Sequence, residues 1–96
     1  MENEVSIEIT INLSRVSAKL PLMALADVIL QFSEGEITIR RCAIFEKSGE
    51  PPWASLPRIS IEKNGRKNFV TLIELGLELR KRVLKALLDE YARHPR

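Results

Sequence analysis

The residues with the clearest chemical potential are three basic side chains around a tight turn. Lys63, Arg66 and Lys67 flank Asn64-Gly65, the dipeptide that type I′ turns prefer because both of its residues accept a positive φ. A hairpin closed by this turn carries the flanking cations at its tip. Such a tip can contact the phosphates of a nucleic acid. The alternative is a solvated turn whose charges discourage pairing with another strand.

Further basic side chains precede this turn. Arg58 stands at the start of the first hairpin strand, and Arg40-Arg41 lies within an earlier predicted strand. Alternation along a strand sends Arg40 and Arg41 to opposite faces, so at least one of them is expected to meet solvent or a carboxylate. From the residues alone, the predicted nucleic-acid contacts are therefore Lys63, Arg66, Lys67, Arg40 and Arg41.

A third basic group, Arg80-Lys81-Arg82, belongs to a predicted C-terminal helix. Glu78, Asp89 and Glu90 lie three or four residues from basic side chains of the same helix. Opposite charges at this spacing pair along a helix surface. We therefore interpret this part of the helix as a mixed, solvated face.

Two aromatic side chains are candidates for the same surface. Phe69, two residues after Lys67, fits base stacking, as in single-strand binders, and fits the core equally well. Trp53 follows two adjacent prolines and is either a partner anchor or a core residue. For Trp53 we favour the core.

The charge of the chain is small in total but unevenly distributed. Fifteen Lys and Arg against 13 Asp and Glu give a net charge of +2. Residues 1–36 hold two basic and six acidic side chains, whereas residues 37–72 hold seven basic and three acidic ones. A basic middle segment of this kind favours a polyanionic partner.

The composition argues against catalysis and against metal binding. The single histidine, His94, lies beside Pro95 near the chain end, a poor place for a catalytic base because chain ends are commonly loosely ordered. The single cysteine, Cys42, cannot form an internal disulfide, and with His94 alone it cannot complete a zinc site. We expect no catalytic residue, no metal ion and no cofactor.

The sequence also lacks membrane and export signals. No apolar run approaches the roughly 20 residues that a membrane-spanning helix needs. The first residues, Met1-Glu2-Asn3-Glu4, lack the basic start and apolar stretch of a signal peptide. We therefore expect a cytoplasmic protein with no membrane partner.

The elements that must position these side chains are strands followed by one helix. Residues 5–13 alternate apolar and polar side chains, which predicts a strand with one buried face. Residues 22–32 are almost continuously apolar and suit a central strand buried on both sides. Together with residues 37–45 they predict one hairpin. Residues 58–72 predict a second hairpin. The fold class is therefore α+β in a single domain, residues 1–96: an antiparallel sheet of about five to six strands, then a helix over about residues 73–93.

The predicted helix has an unusually wide apolar arc. Apolar side chains occupy more than half of its circumference, more than one sheet face requires. Either a curled sheet of the same chain or a partner subunit covers the excess, and the sequence favours neither. The predicted dimer-interface residues are Leu79, Val83, Ala86 and Leu87.

In this order the elements resemble the stage V sporulation protein G (SpoVG) family of small bacterial regulators. Residues 23–30 (MALADVIL) are similar to the family's R-A-x-A-S-x-T-L strand, and residues 53–57 (WASLP) to its F-V-x-M-P segment. Arg80, Val83 and residues 86–91 (ALLDEY) are similar to its terminal R-x-x-I-x-x-A-V-L-x-x-Y. The basic stretch that follows Met-Pro in the family corresponds to residues 58–67, with Asn64-Gly65 in the turn and one extra residue before it.

The resemblance implies a dimeric cytoplasmic regulator that binds DNA, and in some members RNA, without catalysis. In the family, the basic stretch after Met-Pro is associated with nucleic-acid contact, and here it contains Arg58, Lys63, Arg66 and Lys67. The alternative function is a protein-interaction or dimerisation module that binds no nucleic acid. An enzyme is the least supported reading.

Overall fold

The structure is a computed structural model that describes residues 7–15 and 21–93. The described residues form six strands and one helix, in an α+β arrangement with antiparallel pairing throughout, which confirms the predicted fold class. The elements are β1 Glu8–Arg15, β2 Leu22–Phe32, β3 Gly35–Phe45, β4 Trp53–Ser55, β5 Arg58–Lys63, β6 Arg66–Thr71 and α1 Leu77–Arg93. Val5, where the first strand is predicted to begin, and His94 lie outside the described residues.

The larger sheet has the strand order β1-β2-β3-β4. Alternation in β1 is confirmed, since Ile9 and Ile11 lie opposite Leu30 and Val28 on the inner face of this sheet. The prediction that β2 is buried on both sides is wrong. The side chains at most 2% exposed are Met23, Ala24, Ala26, Val28 and Leu30, whereas Leu25, Asp27 and Ile29 of the other face are only half-buried.

A β-bulge interrupts β3 at the two adjacent arginines. Asp27 alone lies opposite both Arg40 and Arg41, because the flanking pairs join Val28 to Ile39 and Ala26 to Cys42. Arg41 takes up the extra residue with a φ of 66°, in the left-handed region. Ile39 and Cys42, three residues apart, are therefore both buried. The expected alternation of the two arginines between faces is corrected by this bulge, since both side chains are exposed.

Helix α1 covers the inner face of the larger sheet. It begins at Leu77, later than the predicted start near Ile73, because residues 73–76 form an irregular connection whose Ile73 and Leu75 pack against the core. The Arg80 N–H donates to the carbonyl of Gly76 at 2.8 Å, the first i to i−4 hydrogen bond of the helix, so Gly76 is the N-cap residue. Over the described part of the chain, no helix is long and apolar enough to cross a membrane.

The packing of α1 corrects part of the predicted dimer interface. Val83 and Leu87 are 0% exposed and belong to the core of the chain itself. They therefore cannot contact a partner subunit in this fold. Leu79 and Ala86 are partly exposed and remain predicted interface residues.

Burial of Cys42 gives the fold a measurable pH dependence. Desolvation, with a smaller contribution from the charge of Asp27, raises the pKa of the Cys42 thiol from 9.0 to about 11. Between these pH values the folded chain keeps a proton that the unfolded chain loses, so the thiol's stabilising contribution is complete below pH 9 and is lost as the pH rises to 11.

We expect the free energy of unfolding, measured by urea titration, to fall more steeply between pH 9 and pH 11 in the protein than in a Cys42→Ala variant. The variant is the control for every other group that titrates in this range. Parallel pH profiles for the two proteins would contradict the burial argument.

Candidate nucleic-acid interface

Strands β5 and β6 form a separate two-stranded sheet, here called the ribbon (residues 58–71). The predicted hairpin is confirmed, with Asn64 at φ 54° and Gly65 at φ 75°, the two positive values that a type I′ turn requires. At the base of the ribbon, the Leu72 N–H donates to the Pro57 carbonyl at 2.9 Å. The tip is therefore held by local turn chemistry and the base by a backbone hydrogen bond.

Every side chain of the ribbon is exposed, on both faces. A two-stranded hairpin of this kind is marginally stable by itself in water. Ribbon residues include large apolar side chains that a globular domain normally buries: Ile59 is 46% exposed, Ile61 39%, Phe69 59% and Val70 42%. The ribbon is thus the part of the described chain that most needs a contact from outside.

Cross-strand register divides the ribbon into two chemically different faces. One face, here called the apolar face, carries the pair Ile59–Val70 and the pair Ile61–Asn68, with Lys63–Arg66 beyond them at the tip. The other face, here called the arginine face, carries the pairs Arg58–Thr71, Ser60–Phe69 and Glu62–Lys67.

This register separates the three basic residues predicted at the tip. Lys63 and Arg66 lie directly opposite each other and share one face. Lys67 lies on the arginine face, opposite the carboxylate residue Glu62, whose charge offsets its own. The concentrated positive charge of the tip therefore belongs to Lys63 and Arg66.

Arg58 links the ribbon to the larger sheet through stacked rings. Its guanidinium carbon lies 4.7 Å from the centre of the Phe69 ring and 5.9 Å from the centre of the Phe45 ring. Phe45 in turn stacks on Trp53, with ring centres 5.5 Å apart and an interplanar angle of 21°. We call these four side chains the aromatic–arginine column; a cation sandwiched between rings gains attraction from both.

Sequence reasoning placed Arg58 at the site but missed this column. Trp53, which we expected in the core, is 41% exposed and lies opposite Phe45 at the edge of the larger sheet. Phe69 is likewise outside the core. The available signal was the short Trp53–Ser55 segment between prolines, which is typical of an edge strand.

Arg40 and Arg41 lie on the outer face of the larger sheet, the face opposite α1 that also carries Phe45. Arg40 forms an ion pair with Asp27 at 3.0 Å, with its own side chain 72% exposed. Arg41 and Phe45 are four residues apart on β3, about 13 Å along the strand. Both arginines therefore share a surface with one end of the column.

The basic residues of α1 mostly have partners on their own element or on β1. Lys85 pairs with Asp89 at 2.8 Å and Arg93 with Glu90 at 3.2 Å. The Arg82 guanidinium donates to the Ile7 carbonyl at 2.9 Å. These contacts agree with the interpretation of the helix as a mixed, solvated face.

Comparisons with protein-family models, with curated proteins and with solved structures return no match for this chain. Within residues 7–15 and 21–93, no group of three His, Cys, Asp or Glu side chains is arranged to hold a metal ion. Function must therefore be argued from the ribbon, the column and the charges around them.

The column predicts that Arg58 restrains the ribbon. Exposed cation–π contacts contribute about 0.5–1 kcal/mol each and Arg58 makes two, so we expect Arg58→Ala to speed amide hydrogen exchange in residues 58–71 by roughly fivefold to thirtyfold. Arg66→Ala is the matched control, because it removes the same charge from the same ribbon without touching a ring. Equal exchange rates in the two variants would show that the column does not brace the ribbon.

Proposed function

We propose that this chain is a nucleic-acid-binding regulator of the SpoVG type, cytoplasmic and homodimeric, that contacts DNA or RNA through its ribbon. The observation that supports this most directly is the tip, where Lys63 and Arg66 form one cross-strand pair at the free end of an exposed hairpin. No catalytic step is part of the proposal.

The dimensions of the ribbon fit a nucleic-acid groove. Six residues per strand span about 20 Å, and a two-stranded ribbon can enter the major groove of B-DNA, which is about 12 Å wide. A tip inserted in this way places Lys63 and Arg66 beside backbone phosphates on either side of the groove. Arg58, at the base of the ribbon, extends the positive surface toward the body of the protein.

Arg40 and Arg41 add charge on a neighbouring surface. Both are exposed on the outer face of the larger sheet, where Asp27 neutralises part of the charge of Arg40. Arg41 forms no such ion pair among the described residues. We therefore give Arg41 a phosphate-contacting role and Arg40 a weaker one. Lys67 lies opposite Glu62 without forming an ion pair with it, so its charge is offset less than that of Arg40.

The proposed dimer adds the apolar face of the ribbon to the predicted interface residues Leu79 and Ala86. Ile59, Ile61 and Val70 lie together on that face at 39–46% exposure. Burying such a surface against a second copy would stabilise a hairpin that is marginal alone. A twofold axis would then give one assembly two basic tips, so the modest +2 charge of the chain acts twice on one polyanion.

A protein-interaction module without nucleic-acid binding is the second candidate. The observation that favours it is the same apolar face, because an exposed apolar ribbon suits a protein partner as well as a second copy. The two functions differ in what the tip does. In an interaction module, Lys63 and Arg66 would serve only solubility.

Removing the tip charges separates these functions. We expect a Lys63→Ala/Arg66→Ala variant to bind a mixed-sequence DNA duplex at least about tenfold more weakly at low salt. Its plot of log affinity against log salt should be shallower by about 1.8 for each tip that contacts the duplex, because two fewer phosphates are neutralised.

The matched control is Lys47→Ala/Lys81→Ala, which removes two exposed charges away from the ribbon. If both double variants weaken binding equally, net charge and not the tip governs affinity. If the intact protein retains neither DNA nor RNA at low salt, the nucleic-acid proposal fails and the interaction module stands.

The ribbon register also predicts how dimerisation responds to a buried charge. Ile61→Glu places a carboxylate in the middle of the apolar face, so we expect the variant to sediment as a monomer at concentrations where the intact protein is a dimer. Ser60→Glu adds the same charge on the arginine face and should leave the dimer intact. Dissociation by both variants, or by neither, would place the interface elsewhere.

A further inference from the structure

A cleft of about 460 Å³ lies between the base of the ribbon and the start of α1. Its walls come from β4 on one side, from Arg58 and Thr71 of the ribbon on another, and from Glu74 and Arg80 near the helix start. This volume lies within the range of small-molecule sites in proteins. The cleft runs along the open edge of the larger sheet, because β4 pairs only with β3.

Two arginines, Arg58 and Arg80, line this cleft and are available to an anion. Within the described residues, neither Arg58 nor Arg80 forms an ion pair or a side-chain hydrogen bond. Ring contacts to Phe45 and Phe69 hold the Arg58 group in place without using its N–H donors. Guanidinium donors suit phosphate oxygens because they form two parallel hydrogen bonds.

The remaining walls supply groups that suit a nucleobase. Trp53 lines the cleft and is 41% exposed, and an indole ring is a strong stacking partner for any base. Glu74 lines it too, and its carboxylate can accept a hydrogen bond from an exocyclic amino group. An anion site, an aromatic surface and an acceptor thus occur within one cavity.

We infer that this cleft binds one unstacked nucleotide of a single strand, with its phosphate held by Arg58 and Arg80 and its base against Trp53. The inference rests on the proposed nucleic-acid function and specifies its substrate class. A base that is paired within a duplex cannot enter the cleft, so the cleft adds affinity for single strands alone. The tip, in contrast, contacts phosphates of either form.

An acidic peptide that extends the sheet at β4 is the competing occupant, and the structure disfavours it. Strand β4 has only three residues, with Pro52 before it and Pro57 close after it. So short an edge offers few backbone hydrogen bonds to an added strand, and prolines beside an edge discourage strand pairing. A nucleotide requires no free strand edge.

The single tryptophan of the chain makes the test direct. The fluorescence of Trp53 is followed while the protein is titrated with a twelve-nucleotide single strand of mixed sequence, with the duplex of the same sequence, and with a poly-aspartate peptide. Affinity is measured independently by anisotropy of labelled strand and labelled duplex. The test variant is Arg80→Gln. Its matched control is Lys81→Gln, which changes the neighbouring charge outside the cleft. Circular dichroism checks that both variants are folded.

We expect the single strand to quench Trp53 and the duplex and peptide to leave its emission nearly unchanged. Arg80→Gln should weaken single-strand binding about tenfold, the loss expected for a charge-assisted phosphate contact, and should change duplex binding less than about twofold. Lys81→Gln should change neither.

Three outcomes would overturn the inference and leave the proposed function standing. In the first, the single strand binds without quenching Trp53 fluorescence. In the second, Arg80→Gln lowers the affinity for strand and duplex equally, and in the third, Arg80→Gln and Lys81→Gln lower the affinity for the strand equally. Quenching by poly-aspartate alone would assign the cleft to an acidic peptide. If no nucleic acid is retained in any form, the proposed function itself fails, and the inference with it.

Discussion

One helix can cover only one face of one sheet, and the remainder of this structure follows from that constraint. Helix α1 has 17 residues, about 25 Å of length, whereas strand β2 has 11 residues and extends about 36 Å. The helix therefore buries the middle of the inner face and leaves Ile37, near the start of β3, 52% exposed. The outer face of the larger sheet and both faces of the ribbon remain open, and these surfaces carry Arg40, Arg41 and Arg58 together with the rings of Phe45, Trp53 and Phe69.

The β-bulge in β3 shows how burial of one sheet face also determines where charged side chains lie. A strand with strict alternation cannot bury Ile39 and Cys42 together, because an interval of three residues sends them to opposite faces. Adding one residue opposite Asp27 brings both into the core and turns Arg40 and Arg41 outward. The conformational cost falls on Arg41, whose left-handed backbone is unfavourable for a residue with a Cβ. Core packing thus determines where two of the basic side chains lie.

Local chemistry was readable from the sequence, whereas relations between elements were not. The Asn64-Gly65 turn, the alternation of β1 and the helical period of α1 depend on neighbouring residues, and the structure has all three. The late start of α1 at Leu77 and the isolation of the ribbon depend on which surfaces other elements already cover. The aromatic–arginine column depends on long-range register, because Trp53 meets Phe45 only through the pairing of β4 with β3. Periodicity carries no information about such encounters.

Arg58 belongs both to the aromatic–arginine column and to the wall of the cleft. In the column it ties the exposed ribbon to the larger sheet; in the cleft it shares the wall with Arg80. An anion bound in the cleft as proposed would fix the Arg58 guanidinium and so limit the motion of the ribbon base. Because coupling between two sites is reciprocal, the proposed contacts at the tip and in the cleft would then reinforce each other through this one side chain.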